Sequence, residues 1–186
     1  MALRTIREVG DDVLRKKTKP VEQVTPAILT LLDDMLETLE DVGGAGLAAP
    51  QVGILRRVAI INIPDEGAFY EMINPEIIEA GELKEDIEGC LSITGFAGLV
   101  ERPKHVKVRA FDRNLEPYEI EAEGFVAVAI CHEIDHLDGI LYTDKATRMM
   151  KTDSQEYFDY LADEERKENG SKAAKRRAAR VKRTEE

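Results

Sequence analysis

Apolar residues recur at helical spacing through Ile28, Leu31, Leu32, Met35, Leu36 and Leu39, while Asp33, Asp34, Glu37, Glu40 and Asp41 fall mostly on the opposite side. That pattern predicts an amphipathic helix of about four to five turns. Thr25 stands as its N-cap, Pro26 occupies its first turn, and Gly43-Gly44 ends it. The period then shortens. Residues 57–63 are β-branched enough for a buried strand, 69–73 give a second, Asn74-Pro75 turns the chain, and 76–80 form a third. From His105 to Phe111 polar and apolar residues alternate, Asp112–Leu115 reads as a turn, and Pro117–Ala122 alternates again. This is a hairpin with one solvated face. His105 falls in its polar register, which favours a surface position.

Past Gly124, Phe125, Val126, Val128, Ala129, His132 and His136 begin a helix with few charges before Glu133. So apolar a helix is expected to be buried. Gly139 ends it, and Ile140-Leu141-Tyr142 continues against the core. Tyr157, Phe158 and Leu161 mark a last amphipathic segment, and Asn169-Gly170-Ser171 a linker. Residues 1–24 read as irregular, with Val13 and Leu14 as possible anchors.

Charge divides the chain. The net charge is -11, yet residues 166–186 carry nine Lys/Arg against three Asp/Glu. A domain over 1–165 with a basic tail over 166–186, flexible or helical, is the expected organisation. The acidic body argues against binding DNA or an anionic membrane, whereas the tail suits a polyanion or simple solvation. With no apolar run of transmembrane length and no secretion signal at MALRTIREVG, a cytoplasmic location is expected. The two cysteines, Cys90 and Cys131, are then free thiols or a metal thiolate rather than a bridge.

The candidate chemistry lies in Cys131-His132-Glu133-Ile134-Asp135-His136. Residues i and i+4 share a helix face, so two imidazoles can hold a divalent metal while Glu133 takes a proton from a metal-bound water. A catalytic site generally has three protein ligands and an open position, so a third must come from elsewhere. Cys90 is the best candidate, with Gly89 beside it allowing close approach of backbone; Cys131 is the competitor, turned about 100° around the helix from His132. The Gly44-Ala45-Gly46-Leu47-Ala48-Ala49-Pro50-Gln51 stretch is either a plain helix-to-strand loop or a backbone surface lying close to a ligand.

Taken together, Gly44-x-Gly46-Leu47-Ala48-Ala49-x-Gln51, Glu88-Gly89-Cys90-Leu91-Ser92 and His132-Glu133-x-x-His136 resemble, in order and spacing, the three signatures of the peptide deformylases over about residues 1–145. His-Glu-x-x-His alone occurs in many metallohydrolases; the ordered trio is far more specific. The resemblance implies an α+β fold with antiparallel sheets around a buried metal-binding helix. It implies Cys90, His132 and His136 as metal ligands and Glu133 as general acid/base. Gln51 and the Leu91 backbone N–H are the implied oxyanion donors, with Gly46 and Gly89 contacting substrate. The implied reaction removes the formyl group from the N-terminal formyl-methionine of new polypeptides, releasing formate by way of a metal-bound hydroxide. Fe2+ is the implied metal, replaceable by Zn2+, Ni2+ or Co2+, and the tail is a candidate for ribosome docking. Cys131 where Gln is frequent, Thr94–Gly98 in place of a Pro-containing segment, and the lack of an Arg near Ala97 depart from the family pattern and bear on substrate contacts. The competing readings are a metalloprotease with another third ligand and an RNA-associated module with a structural metal.

Overall fold

In a computed structural model that describes residues 2–167, two antiparallel sheets enclose one buried helix. The larger sheet has the order β1 (Gly46–Ala48), β2 (Val58–Ile63), β3 (Ala68–Ala80), β6 (His105–Phe111), β7 (Pro117–Glu123). The smaller has the order β4 (Leu83–Cys90), β5 (Ile93–Pro103), β8 (Arg148–Lys151). Helix α1 (Pro26–Val42) lies on one face of the larger sheet and α2 (Gly124–Leu137) on the other.

The period-2 rule explains this layering. Val58 and Ile60 of β2 pack with Leu31, Leu32, Met35 and Leu39 of α1, whereas Ala59 and Ile61 pack with Ile130, Ile134 and Leu137 of α2. A strand buried on both faces must be apolar throughout, as residues 58–61 are. Fully burying side chains such as Leu32 and Met35 contributes roughly 1.5–3 kcal/mol each. The β6–β7 hairpin follows its alternation: Val106, Val108 and Ala110 face the core, while Lys107 and Arg109 point out to ion pairs with Glu119. His105, at the start of β6, stays half-buried.

Some elements differ from expectation. Asn74-Pro75 does not end a strand; it is an irregularity inside the long β3, with Asn74 at φ 51° and the register shifting between Ile73 and Glu76. The Asn74 side chain exchanges two hydrogen bonds with the Val21 backbone, both 2.8 Å, which compensates for the lost ladder. Asp34 is buried, not solvated, because it accepts hydrogen bonds from the Ala2 N–H and the Arg4 guanidinium. Leu14 is buried with Ile93, Val100, Leu141 and Tyr142, and Val13 packs against the same group. The helix α3 over 155–167 leaves Phe158 and Leu161 exposed rather than docked. The Asn169–Ser171 linker and the basic run of residues 172–183 lie outside the described residues.

Candidate active site

Helix α2 begins where Gly124, at φ 57°, turns the chain out of β7. Nearly every α2 residue from Ala127 to Leu137 is buried, since β1, β2 and β7 flank it on one side and β5 on another. His132 and His136 therefore project into the interior with ring centroids 4.9 Å apart. Across from them, β4 and β5 meet at a tight turn over Leu91-Ser92, with Cys90 paired to Ile93. The register jumps at this point, Gly89 pairing with Ala97 and Cys90 with Ile93, so that residues 94–96 of β5 have no partner on β4. The Cys90 Sγ sits 3.2 Å from His136 Nε2, and the Ser92 backbone N–H donates to it at 3.4 Å.

Donor atoms of Cys90, His132 and His136 all lie within 4.8 Å of one another. One thiol and two imidazoles form a donor set suited to a first-row divalent metal. His136 is held well below its usual pKa by burial and then by the nearby His132 and Arg102, so its ring is neutral and its lone pair free to ligate. For His132, burial acts to lower the pKa, but contacts with Cys90 and Glu88 outweigh it and raise the ring to about 10. The negative groups that favour a proton there favour a metal cation as well. Cys131 faces the core, and burial pushes its thiol up to about 11.

Glu133 is buried, and its Oε2 has no hydrogen-bond partner among the described residues. Burial lifts its carboxyl to about 7, against a lowering influence from His132. That value suits a group that accepts and returns a proton near neutral pH. Gln51, 1% exposed, sits on a single turn of 3-10 helix over Ala49–Val52. Its Oε1 accepts from the Ala48 N–H at 2.8 Å, which fixes the amide with Nε2 directed at Ser92 Oγ (3.2 Å) and Cys90 Sγ (3.6 Å). Gln51, Glu133, Cys90, His132, Leu91, Gly46 and Gly89 line one cavity of about 430 Å³; His136 lies behind it, fully buried. Gly46 is held against the Glu133 carboxylate, whereas Gly89 lies exposed on β4, the edge strand of the smaller sheet, with room for a side chain.

Two residues of this site escaped the sequence reading. Glu88 accepts from His132 Nδ1 at 2.7 Å, leaving Nε2 as the free donor atom of that ring. Arg102, 3% exposed, forks onto both Glu88 oxygens at 2.5 and 3.0 Å and reaches Asp135 at 2.6 Å. Burial would raise the Glu88 carboxyl, yet hydrogen bonds from His132 and Arg102 hold it below its usual range. Glu88 had a signal: i and i+2 on a strand share a face, so it stands on the side of Cys90. Arg102 had none, because its partnership depends on the hairpin register that brings Ile87 opposite Leu99.

Known proteins agree with this architecture. The family model for polypeptide deformylase matches residues 3–152. A peptide deformylase of Lachnoclostridium phytofermentans is 56% identical over 146 residues, 78% of this chain and 90% of that relative. Among solved structures, a peptide deformylase from Legionella pneumophila aligns with a TM-score of 0.76 at 42% identity, covering 78% of this chain and 87% of that one. A peptide deformylase from Synechococcus elongatus, solved in complex with actinonin, aligns with a TM-score of 0.73 at 40% identity, covering 77% of this chain and 78% of that one. With the family model spanning both sheets and α2, and relatives matching at this level of identity, the chain belongs to the polypeptide deformylase family.

Proposed function

We propose that this protein hydrolyses the formamide of N-terminal formyl-methionine on new polypeptides, releasing formate and a free amine. The observation that carries the reading is the meeting of the Cys90, His132 and His136 donor atoms within 4.8 Å at the cavity that Gln51 and Glu133 line. Cys90, His132 and His136 would hold a divalent metal, Fe2+ in the cell and Zn2+, Ni2+ or Co2+ in its place. When bound, such an ion lowers the pKa of water and polarises the formyl oxygen.

The chain's own groups do the rest. Glu133 accepts the proton of the attacking water and delivers it to the departing amine nitrogen. Gln51 Nε2–H and the Leu91 backbone N–H donate to the oxygen on which negative charge develops, each worth on the order of 3 kcal/mol in the transition state. Glu88 holds the His132 ring with its Nε2 toward the site, and Arg102 holds Glu88. Gly46 and Gly89 present backbone to the peptide, and the apolar wall of Ile87, Phe125, Val128 and Ala129 suits an unbranched thioether side chain.

Among the described residues no helix is long and apolar enough to cross a membrane. Nascent chains leaving the ribosome in the cytoplasm are the proposed substrates, with the basic tail of residues 166–186 as the proposed ribosomal contact. Metal-loaded protein given formyl-Met-Ala-Ser is expected to release formate and leave the internal peptide bonds intact. Cleavage of an internal bond without formate would overturn the reading.

A further inference from the structure

The N-terminal segment supplies no side chain to the cavity, yet two of its backbone N–H groups reach the site's supports. Arg7 N–H donates to the Gln51 carbonyl at 2.7 Å, and Val9 N–H donates to the Ser92 carbonyl at 2.8 Å. Gln51 and Ser92 lie on separate turns, one after β1 and one between β4 and β5, and their side chains meet at 3.2 Å through Gln51 Nε2 and Ser92 Oγ. The segment thus bridges the backbones of the two turns that supply Gln51 and Leu91 to the cavity lining.

Its own fastening is firm and lies elsewhere. At the outer end, Arg4 N–H donates to Thr38 Oγ1 at 2.9 Å and the Arg4 guanidinium pairs with Asp34 at 2.9 Å, both on α1. At the inner end Leu14 is buried in the cluster that includes Ile93. Between these anchors Ile6 packs into the same cluster as Leu91, and the Arg7 side chain lies over Gly53, where an added Cβ would come within 3.0 Å of it. Leu3 and Val9 are 56% and 57% exposed, so apolar burial holds the segment at Ile6 and Leu14 but not at Val9 itself.

We propose that residues Arg4–Val9 are a positioning strap that holds the Gln51 turn and the Leu91-Ser92 turn at a fixed separation, and thereby aims the oxyanion donors. The inference rests on the reading of Gln51 and Leu91 as those donors. Preorganised donors owe their effect to being held in place before charge develops, so loosening one turn against the other weakens transition-state stabilisation more than substrate binding. Neither Arg7 nor Val9 touches substrate; each acts through Gln51 or Ser92.

The test compares Val9→Pro, which deletes the N–H, with Val9→Ala, which keeps it. Both are made in the native chain and in a Gln51→Ala background, as Co2+-loaded protein with formate release measured. Val9→Ala is expected to match the native rate. Val9→Pro is expected to lose roughly tenfold in kcat, with KM and metal content within about twofold of native. In the Gln51→Ala background the same change is expected to add no further loss, because the donor it positions is gone. Equal rates for Val9→Pro and Val9→Ala, or the same fold-loss in both backgrounds, would overturn the strap while leaving the Gln51 reading intact. An undiminished rate for Gln51→Ala alone would remove that reading, and the strap with it. Should Val9→Pro not fold, Arg4→Ala loosens the strap at its outer end and is read by the same non-additivity with Gln51→Ala.

Discussion

Gly46 and Glu133 are in such close register that a Cβ built on Gly46 would lie 2.7 Å from Glu133 Oε1 and 2.8 Å from its Cγ. Strand β1 passes over the buried carboxyl with only a glycine's width between them. Any side chain at 46 must displace Glu133, the proposed proton carrier. Gly46→Ala is therefore expected to lower kcat by about ten- to a hundredfold, since a misplacement of an ångström at a reacting group costs on that order. Metal content is expected to stay at the native level. Steady-state formate release together with metal analysis reads both.

Arg102 balances two carboxylates, the buried Glu88 on β4 and the partly exposed Asp135 on α2. Arg102→Met leaves the Glu88 carboxylate with only the His132 ring, while Asp135 keeps Lys145, and breaking the buried Arg102–Glu88 pair in this way costs about 3–5 kcal/mol. Urea unfolding should show that loss. In protein that still folds, metal retention against a chelator is expected to fall by about ten- to a hundredfold, because the His132 ring loses its orienting support. Glu88→Gln is expected to weaken retention in the same direction while costing less stability, as the amide oxygen can still accept from the ring.

Removing bound metal separates the proposed ligands from the proposed acid/base. Chelation is expected to abolish formate release, and added Fe2+, Co2+ or Ni2+ under anaerobic conditions to restore it. Cys90→Ser exchanges a sulfur ligand for a poorer hydroxyl donor at the position 3.2 Å from His136 Nε2 and is expected to lose bound metal as well as turnover. The two readouts are metal stoichiometry and rate on the same preparation.

A pH dependence follows from Asp34. A hydrogen bond from the Ala2 N–H, opposed by burial and joined by Arg4, holds its carboxyl below the ordinary 3.8. A group whose pKa is lower folded than unfolded stabilises the fold above its unfolded pKa, and that stabilisation disappears as pH falls through the folded value. Asp34→Asn is thus expected to be less stable than the native protein near neutral pH, with the gap closing as acid is added below about pH 4. Denaturant melts at stepped pH measure the gap; a difference that did not shrink in acid would contradict this account of Asp34.

Much of the site was legible because its chemistry is carried by short local patterns. His132 and His136 need only the 3.6-residue period to share a face, and Gln51 and Cys90 stand in stretches whose order and spacing resemble one family. What could not be read depends on contacts between distant segments. The β4–β5 pairing that positions Cys90 has little alternation to mark it, because Gly95, Gly98 and charged residues interrupt the period-2 pattern. The Asn74-Pro75 pair carries every local sign of a turn, yet the Val21 backbone satisfies Asn74 and lets β3 continue. Asp34 fits the polar face of α1 by count and is buried only because residues 2–4 fold back over it. Arg102 and the Arg4–Val9 segment likewise acquire meaning from tertiary pairing alone.

The account turns on Glu133, the one buried carboxyl in the cavity wall with an oxygen that no described residue satisfies. Its most direct test is formate release from formyl-Met-Ala-Ser by anaerobically purified, metal-loaded protein, native beside Glu133→Ala. Native protein is expected to release one formate per peptide, and the variant to keep its metal while losing at least about a hundredfold in rate. A native protein that holds metal and releases no formate, or a Glu133→Ala variant that turns over at the native rate, would contradict it.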